Sequence, residues 1–219
     1  HAFGGLRDKY CLLRSGGALG RGCGPLLVSK KYSDIEELKG KRIAIPGKLT
    51  TAYLLLLLYG PSFKENIVEM RFDLIPQAVK DGYADAGLII HEGRFTYQNY
   101  GLIQLMDFGQ WWEKETGLPI PLGAIVAKRD LGKETIGKID PLIKESVEYA
   151  FNHRSGPLGY IKKHAQELDD RVIQEHIGLY VNDFSVDIGE EGTRAVDILF
   201  KMSEEREIIQ KSVMPLFMQ

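Results

Sequence analysis

The most regular feature of this sequence is a series of short apolar runs bounded by glycine, proline or charged residues. The runs have the usual length of a buried β-strand and are too short for a typical helix. Each therefore predicts a strand. They lie at residues 10–14, 25–29, 42–45, 68–72, 86–90, 102–106 and 121–127.

Between the predicted strands, apolar residues recur at helical spacing. Thr50 or Thr51 is a candidate N-cap for a helix that ends at Gly60. A second helix is predicted at 75–82, and nearly everything from about residue 133 to the end has the pattern of helix. Strands that alternate with helices predict an α/β protein with a mostly parallel sheet and helices on its faces.

Composition and charge exclude some classes of protein. The 219 residues are 44% hydrophobic, which is enough to build one or two domains. The 28 Lys and Arg are nearly balanced by 30 Asp and Glu, so the charge gives no support for nucleic-acid binding. No apolar run approaches the roughly 20 residues of a membrane span. The chain opens on His1 without a signal-like segment, which says little about its compartment.

A glycine-rich segment, residues 15–24, follows the first predicted strand. It does not match the dinucleotide-binding fingerprint, because its spacing differs and a strand follows where that motif has a helix. A tight connection between strands or an interdomain hinge is favoured over a phosphate cradle. Cys11 and Cys23 flank much of this segment. They are able in principle to pair, but two unpaired thiols in a reducing compartment fit better.

A candidate anion site lies at residues 46–52, where a strand, a glycine turn, two threonines and a helix start follow one another. The N–H groups in the first turn of a helix have no intrahelical acceptor and carry partial positive charge, so they stabilise a carboxylate or phosphate. The hydroxyls of Thr50 and Thr51 add donors, and Ala52 follows them. The alternative is a plain N-cap, which needs only one threonine.

The third candidate is His91, which comes directly after the apolar run 86–90. Ligands of open α/β sheets bind beyond the carboxyl ends of the strands, so this position suits a functional imidazole. The alternative is a structural histidine at a strand end. Glu92 and Arg94 point elsewhere if the chain stays extended, or form a surface ion pair of little energetic value. Gly93 is expected to let the backbone turn away after the histidine.

Five blocks of the chain stand out as motifs. They are His-Glu-Gly-Arg-Phe-Thr-Tyr at 91–97, Gly-Lys-Leu-Thr-Thr-Ala at 47–52, Arg-Ser-Gly-Gly-Ala-Leu-Gly-Arg-Gly-Cys-Gly-Pro at 14–25, Leu-Pro-Ile-Pro-Leu-Gly at 118–123 and Tyr-Val-Asn-Asp-Phe-Ser at 180–185. Taken together, these blocks resemble the 1,4-dihydroxy-6-naphthoate synthase family of the futalosine route to menaquinone, and the resemblance extends over nearly the whole chain. Family members usually begin upstream of the position that His1 matches, so the first elements of one lobe are expected to be missing.

The resemblance implies a two-lobed periplasmic binding protein-like type II fold, an α/β architecture with the active site in a central cleft. The predicted strands at 25–29 and 121–127 bracket an inserted α/β segment in the manner of paired hinge crossings. We therefore expect one lobe at residues 32–117, and we expect the other lobe to combine residues 1–31 with residues 118–219.

The resemblance also implies a lyase that converts cyclic dehypoxanthinyl futalosine to 1,4-dihydroxy-6-naphthoate. Proton abstraction, ring opening and loss of the sugar-derived fragment require one base with a pKa near neutrality and an anchor for the carboxylate. By position within the blocks, His91 matches the family's catalytic histidine, and Thr50, Thr51 and Ala52 match its substrate-binding segment. The implied enzyme is cytoplasmic and acts on a small carboxylate, with no metal, organic cofactor, nucleic acid or membrane.

Two other functions stay open at this point. A solute-binding protein of the same fold needs the anion site but no base. Chorismate dehydratase, the sister enzyme of the same pathway, shares the fold but lacks the block at 91–97, so that block favours the naphthoate synthase. The sequence does not indicate an oligomeric state.

Overall fold

The computed structural model describes residues 1–165 and 169–218, and its chain divides into two compact units. Unit 1 contains His1 and Arg21–Ile120, and unit 2 contains Ala2–Gly20 and Pro121–Gln219. After its first residues the chain passes between the units twice. The first passage lies inside the glycine-rich segment 15–24, where an interdomain connection was one of the two favoured structures.

Short strands and helices alternate through the first part of the chain, and helices dominate the last part. The strands are β1 (Tyr10–Leu12), β2 (Ala18–Gly20), β3 (Leu26–Ser29), β4 (Ile43–Ile45), β5 (Ile67–Glu69), β6 (Ala86–Ile89), β7 (Ile103–Asp107), β8 (Ile120–Gly123) and β9 (Val126–Lys128). The α-helices are α1 (Thr51–Tyr59), α2 (Ile75–Lys80), α3 (Gly93–Thr96), α4 (Phe108–Thr116), α5 (Gly132–Asn152), α6 (Leu158–His164), α7 (Asp170–Tyr180), α8 (Asp183–Val186) and α9 (Gly189–Glu205). A strand is present at each predicted run, and the run 121–127 is divided between β8 and β9.

The described residues of unit 1 form a five-stranded sheet in the order β5-β4-β6-β3-β7. Strand β4 is parallel to β5 and β6, whereas β3 is antiparallel to β6 and β7. Four strands therefore run in one direction and β3 runs against them. The predicted alternation of strands and helices is present, but the sheet is mixed rather than mostly parallel, with two parallel and two antiparallel pairings. The carboxyl ends of β4, β5, β6 and β7 consequently lie at the same edge as the amino end of β3.

The position of β3 also sets the boundary between the units. The expected boundary after residue 31 assigns this strand to the other lobe. In the structure the boundary falls between Gly20 and Arg21, because Leu26 and Val28 pack into the apolar core of unit 1. The second boundary falls after Ile120, three residues beyond the expected position after residue 117.

Helix α1 is apolar on all sides and lies inside unit 1. Leu54, Leu55, Leu56 and Leu58 are completely buried, and the helix packs against α4 and β6. Burying a leucine side chain contributes about 1.5–3 kcal/mol, so this helix is held in place by packing on every face. A helix held in this way presents its first turn at a fixed point of the sheet edge.

Unit 2 contains the strand pairs β1-β9 and β2-β8 together with the helices from α5 onward. An apolar core that includes Leu12, Leu19, Val196 and Phe200 joins these strands to α9. Among the described residues, the predicted helical character after residue 133 is confirmed as far as the end of α9. The prediction is wrong for the final residues, which leave the helix and return to β1, where Phe217 forms a bridge with Leu12.

None of the helices in the described part of the chain has both the length and the apolar character needed to cross a membrane.

Candidate active site

His91 lies at the carboxyl edge of the unit 1 sheet, the same edge at which the segments after β4 and β5 begin. Ala44 pairs with Gly87 and Ile45 pairs with Glu69, so the three strands end at nearly the same level. His91 comes after β6 and Phe72 after β5, and their rings contact each other edge to face at a centroid distance of 5.0 Å. The predicted position of His91 beyond the end of a buried strand is confirmed.

The backbone turns at His91 itself. This residue has φ 55°, in the left-handed region that residues other than glycine rarely adopt. The N–H of Gly93 then donates to the Ile90 carbonyl at 3.2 Å, and the N–H of Arg94 donates to the His91 carbonyl at 3.3 Å. The expectation that Gly93 makes the turn is wrong, because Gly93 instead opens the short helix α3. Left-handed backbone at a residue with a side chain costs about 1–3 kcal/mol and is concentrated at functional sites.

The surroundings of His91 favour its neutral form. His91 is exposed as a residue, but the protein atoms around its imidazole withdraw enough water to lower the pKa of the ring below its ordinary value of 6.5. The negative charge of Glu92 acts in the opposite direction and is the smaller influence. A histidine with a lowered pKa is largely neutral at pH 7, and a neutral imidazole is able to accept a proton.

Thr50 is the N-cap of α1, at the same edge of the sheet. Its hydroxyl donates to the Gly47 carbonyl at 2.7 Å and accepts the N–H of Tyr53 at 3.3 Å. This hydroxyl therefore has a structural role, as the alternative of a plain cap anticipated. The next two residues, Thr51 and Ala52, begin the helix. The N–H groups of the first turn of a helix point out of its amino end.

Arg94 and Asp107 form a buried ion pair that the sequence did not reveal. Arg94 Nη2 lies 2.7 Å from Asp107 Oδ2, and Arg94 Nη1 donates to the Gly24 carbonyl at 2.6 Å. The side chains are 16% and 2% exposed, so the reading of Arg94 as part of a surface pair is wrong. The chain is not extended here, and α3 turns Arg94 towards β3 and β7. The sequence feature that could have pointed to Asp107 is an aspartate at the N-cap position of a helix directly after a strand.

The last part of the glycine-rich segment closes tightly on the start of α4. A Cβ atom on Gly24 would lie 2.1 Å from the backbone nitrogen of Gly109, so only glycine allows this approach. Cys23 precedes it, and burial raises the pKa of its thiol to about 11, with the positive charge of Arg94 opposing that increase. The thiol therefore stays protonated at neutral pH and is a poor nucleophile. Both Cys11 and Cys23 are free and buried.

Solved structures show which class of fold this is. The ligand-binding component of an ABC-type import system from Staphylococcus aureus matches 100% of this chain and 76% of its own, with a TM-score of 0.67 and 12% identity. The periplasmic aliphatic sulphonate-binding protein of Escherichia coli matches 92% of this chain and 66% of its own, with a TM-score of 0.61 and 14% identity. The chain has a periplasmic binding protein-like α/β fold, as the sequence predicted.

Sequence relatives define the family within that class. A family model described as menaquinone biosynthesis matches residues 1–205, and the chain belongs to this family. It is 52% identical to a 1,4-dihydroxy-6-naphthoate synthase from Thermus thermophilus, over 99% of this chain and 78% of the relative. It is 48% identical to one from Streptomyces coelicolor, over 86% of this chain and 68% of the relative. A solved structure from Archaeoglobus fulgidus is 40% identical with a TM-score of 0.85, over 93% of this chain and 75% of its own.

Proposed function

We propose that this protein is a 1,4-dihydroxy-6-naphthoate synthase, a carbon–carbon lyase that acts on cyclic dehypoxanthinyl futalosine in menaquinone biosynthesis. Two relatives with that name are 52% and 48% identical to it. The block at 91–97 lies at the edge of the sheet where ligands bind in open α/β folds. Two free, buried cysteines fit a reducing compartment, and we place the enzyme in the cytoplasm.

His91 is the proposed general base, and its geometry is the observation that carries this proposal. The residue adopts a strained left-handed conformation directly after a buried strand and has a lowered pKa. A neutral imidazole in this position removes a proton from the substrate as the ring opens and the sugar-derived fragment leaves. Phe72 contacts the imidazole edge to face and limits the orientations that its ring is able to adopt.

The start of α1 is the proposed anchor for the substrate carboxylate. Thr50 caps the helix, and the main-chain N–H groups of Thr51 and Ala52 are the proposed donors to the anion. The positive end of the helix dipole adds to their attraction for negative charge. In this arrangement the two threonines have different roles. Thr50 caps the helix, and Thr51 is the proposed contact to the ligand.

A solute-binding protein is the second candidate, and the similarity to two transport-system binding proteins favours it. Such a protein would bind the carboxylate without turnover. A single measurement of turnover therefore distinguishes the two functions. The purified protein is incubated with cyclic dehypoxanthinyl futalosine, and the naphthoate product is followed by mass.

The variant His91→Asn tests the base directly. Asparagine is polar and similar in shape but does not accept a proton at neutral pH. We expect turnover to fall by roughly 10²–10⁴-fold, with the substrate Kd measured by calorimetry almost unchanged. His153→Asn is the matched control, because His153 is an exposed histidine of unit 2 that stacks on Tyr149. Near wild-type turnover in His91→Asn would show that the base is another residue.

A further inference from the structure

Arg94 lies three residues after His91 and links three strand ends of unit 1. We propose that Arg94 is a positioning residue that holds His91 in its active orientation, an inference that rests on the proposed function of His91. The guanidinium contacts Gly24 at the amino end of β3 and Asp107 at the carboxyl end of β7. It projects from α3, which follows β6. One side chain therefore fixes the His91 segment to the amino end of β3 and the carboxyl end of β7.

The contacts of Asp107 make this link rigid. Its Oδ2 receives Arg94, while its Oδ1 accepts the N–H groups of Gly109 at 2.8 Å and Gln110 at 3.1 Å. The first turn of α4 therefore fixes the carboxylate through one oxygen, and the other oxygen is left to accept from Arg94. A guanidinium is planar and presents its donors in a fixed fork, so two acceptors at fixed positions define its orientation.

The His91 segment has few means of its own to hold its shape. Helix α3 is four residues long, and Glu92 at its N-cap position makes no side-chain capping bond. An isolated helix of this length is not stable in water, so tertiary contacts must maintain it. The left-handed conformation of His91 likewise persists only when the surrounding structure imposes it. The buried contacts of Arg94 are the strongest polar contacts that the structure describes for this helix.

The test uses Arg94→Lys, which keeps the charge but loses the fork and reaches only one of the two acceptors. Displacing a catalytic group by about 1 Å costs roughly 10²-fold in rate, so we expect kcat to fall by about that factor with little change in KM. The imidazole signals of His91 in NMR spectra should shift in the same variant. Arg42→Lys is the matched control, because Arg42 also contacts an aspartate and a glycine carbonyl, but at the opposite edge of the sheet.

A double variant separates positioning from general support of the fold. In the His91→Asn background, Arg94→Lys should lower the residual turnover no further, because the arginine acts only through the histidine. Independent, multiplying losses would overturn the inference, and so would wild-type kcat in Arg94→Lys. Asp107→Asn provides a second route should the lysine variant not fold. Its amide oxygen still accepts the N–H groups of Gly109 and Gln110, whereas its NH2 group does not accept a hydrogen bond from Arg94. Wild-type turnover in His91→Asn would instead defeat the proposed base.

Discussion

The two edges of the unit 1 sheet carry the same set of polar contacts in different surroundings. At the carboxyl edge, Arg94 binds Asp107 and the Gly24 carbonyl, and the side chains of the ion pair are 16% and 2% exposed. At the amino edge, Arg42 Nη2 donates to the Gly82 carbonyl at 3.1 Å, and Arg42 Nε lies 3.9 Å from Asp85 Oδ2. There the side chains of the ion pair are 53% and 27% exposed.

Burial decides what each of these pairs does. An exposed ion pair contributes about 0–1 kcal/mol, because water solvates both charges once they separate. Removing one partner of a buried pair costs about 3–5 kcal/mol, because the other charge stays without compensation. The amino edge therefore tolerates movement and substitution, whereas the carboxyl edge holds one arrangement. The proposed base lies at the edge that is held.

The largest expected difference between the two edges is in backbone packing. Gly24→Ala should lower the free energy of unfolding by about 3 kcal/mol, because its new Cβ meets the backbone of Gly109. Gly82→Ala should cost only about 1 kcal/mol, the cost of φ +76° for alanine, because no atom lies within 4 Å of the new Cβ. Urea unfolding of both variants measures the difference. Equal losses would mean that the carboxyl edge is no more tightly packed than the amino edge.

The next effect concerns the start of α1 and tests the carboxylate anchor. Thr51→Pro removes one main-chain N–H, and proline is well tolerated at the first position of a helix. Thr50 has φ −81° and ψ 152°, which is the extended conformation required of a residue before proline. We expect the substrate Kd to rise about 10- to 100-fold. Thr51→Val removes the hydroxyl but keeps the N–H, so comparable binding by both variants would contradict the anchor.

The smallest effect is a shift in the pH profile. A general base is active when deprotonated, so kcat/KM should be constant near neutrality and fall as the pH decreases through the pKa of His91, below 6.5. Glu92 raises that pKa, so Glu92→Gln should move the acid limb to still lower pH. The profile of each variant is measured with saturating and with limiting substrate. An acid limb that stays in place after the Glu92 change would assign the titration to another group.

Much of the local structure was readable from the sequence. Strand positions followed from short apolar runs, and the cap at Thr50 followed from hydroxyl chemistry at a helix start. His91 was a candidate because it comes directly after an apolar run, and the resemblance of the block at 91–97 to a known family favoured a catalytic role over a structural one. Each of these features depends on residues that are neighbours in the chain, so the sequence pattern contains the information.

The buried link at the carboxyl edge could not be predicted in the same way. Arg94 and Asp107 are 13 residues apart and lie after β6 and at the end of β7, with β3 between those strands. Only the sheet order brings their side chains together. Burial then excludes water from the ion pair, so Arg94 keeps one set of partners. The antiparallel pairing of β3 with β6 and β7 is non-local in the same way. It places β3 in unit 1, so the boundary between the units follows Gly20. The sequence by itself determined the fold class, the family blocks and the candidate base. The tertiary structure decided the buried contacts of Arg94, the proposed support of that base, because the free energy of a buried polar contact depends on neighbours that are distant along the chain.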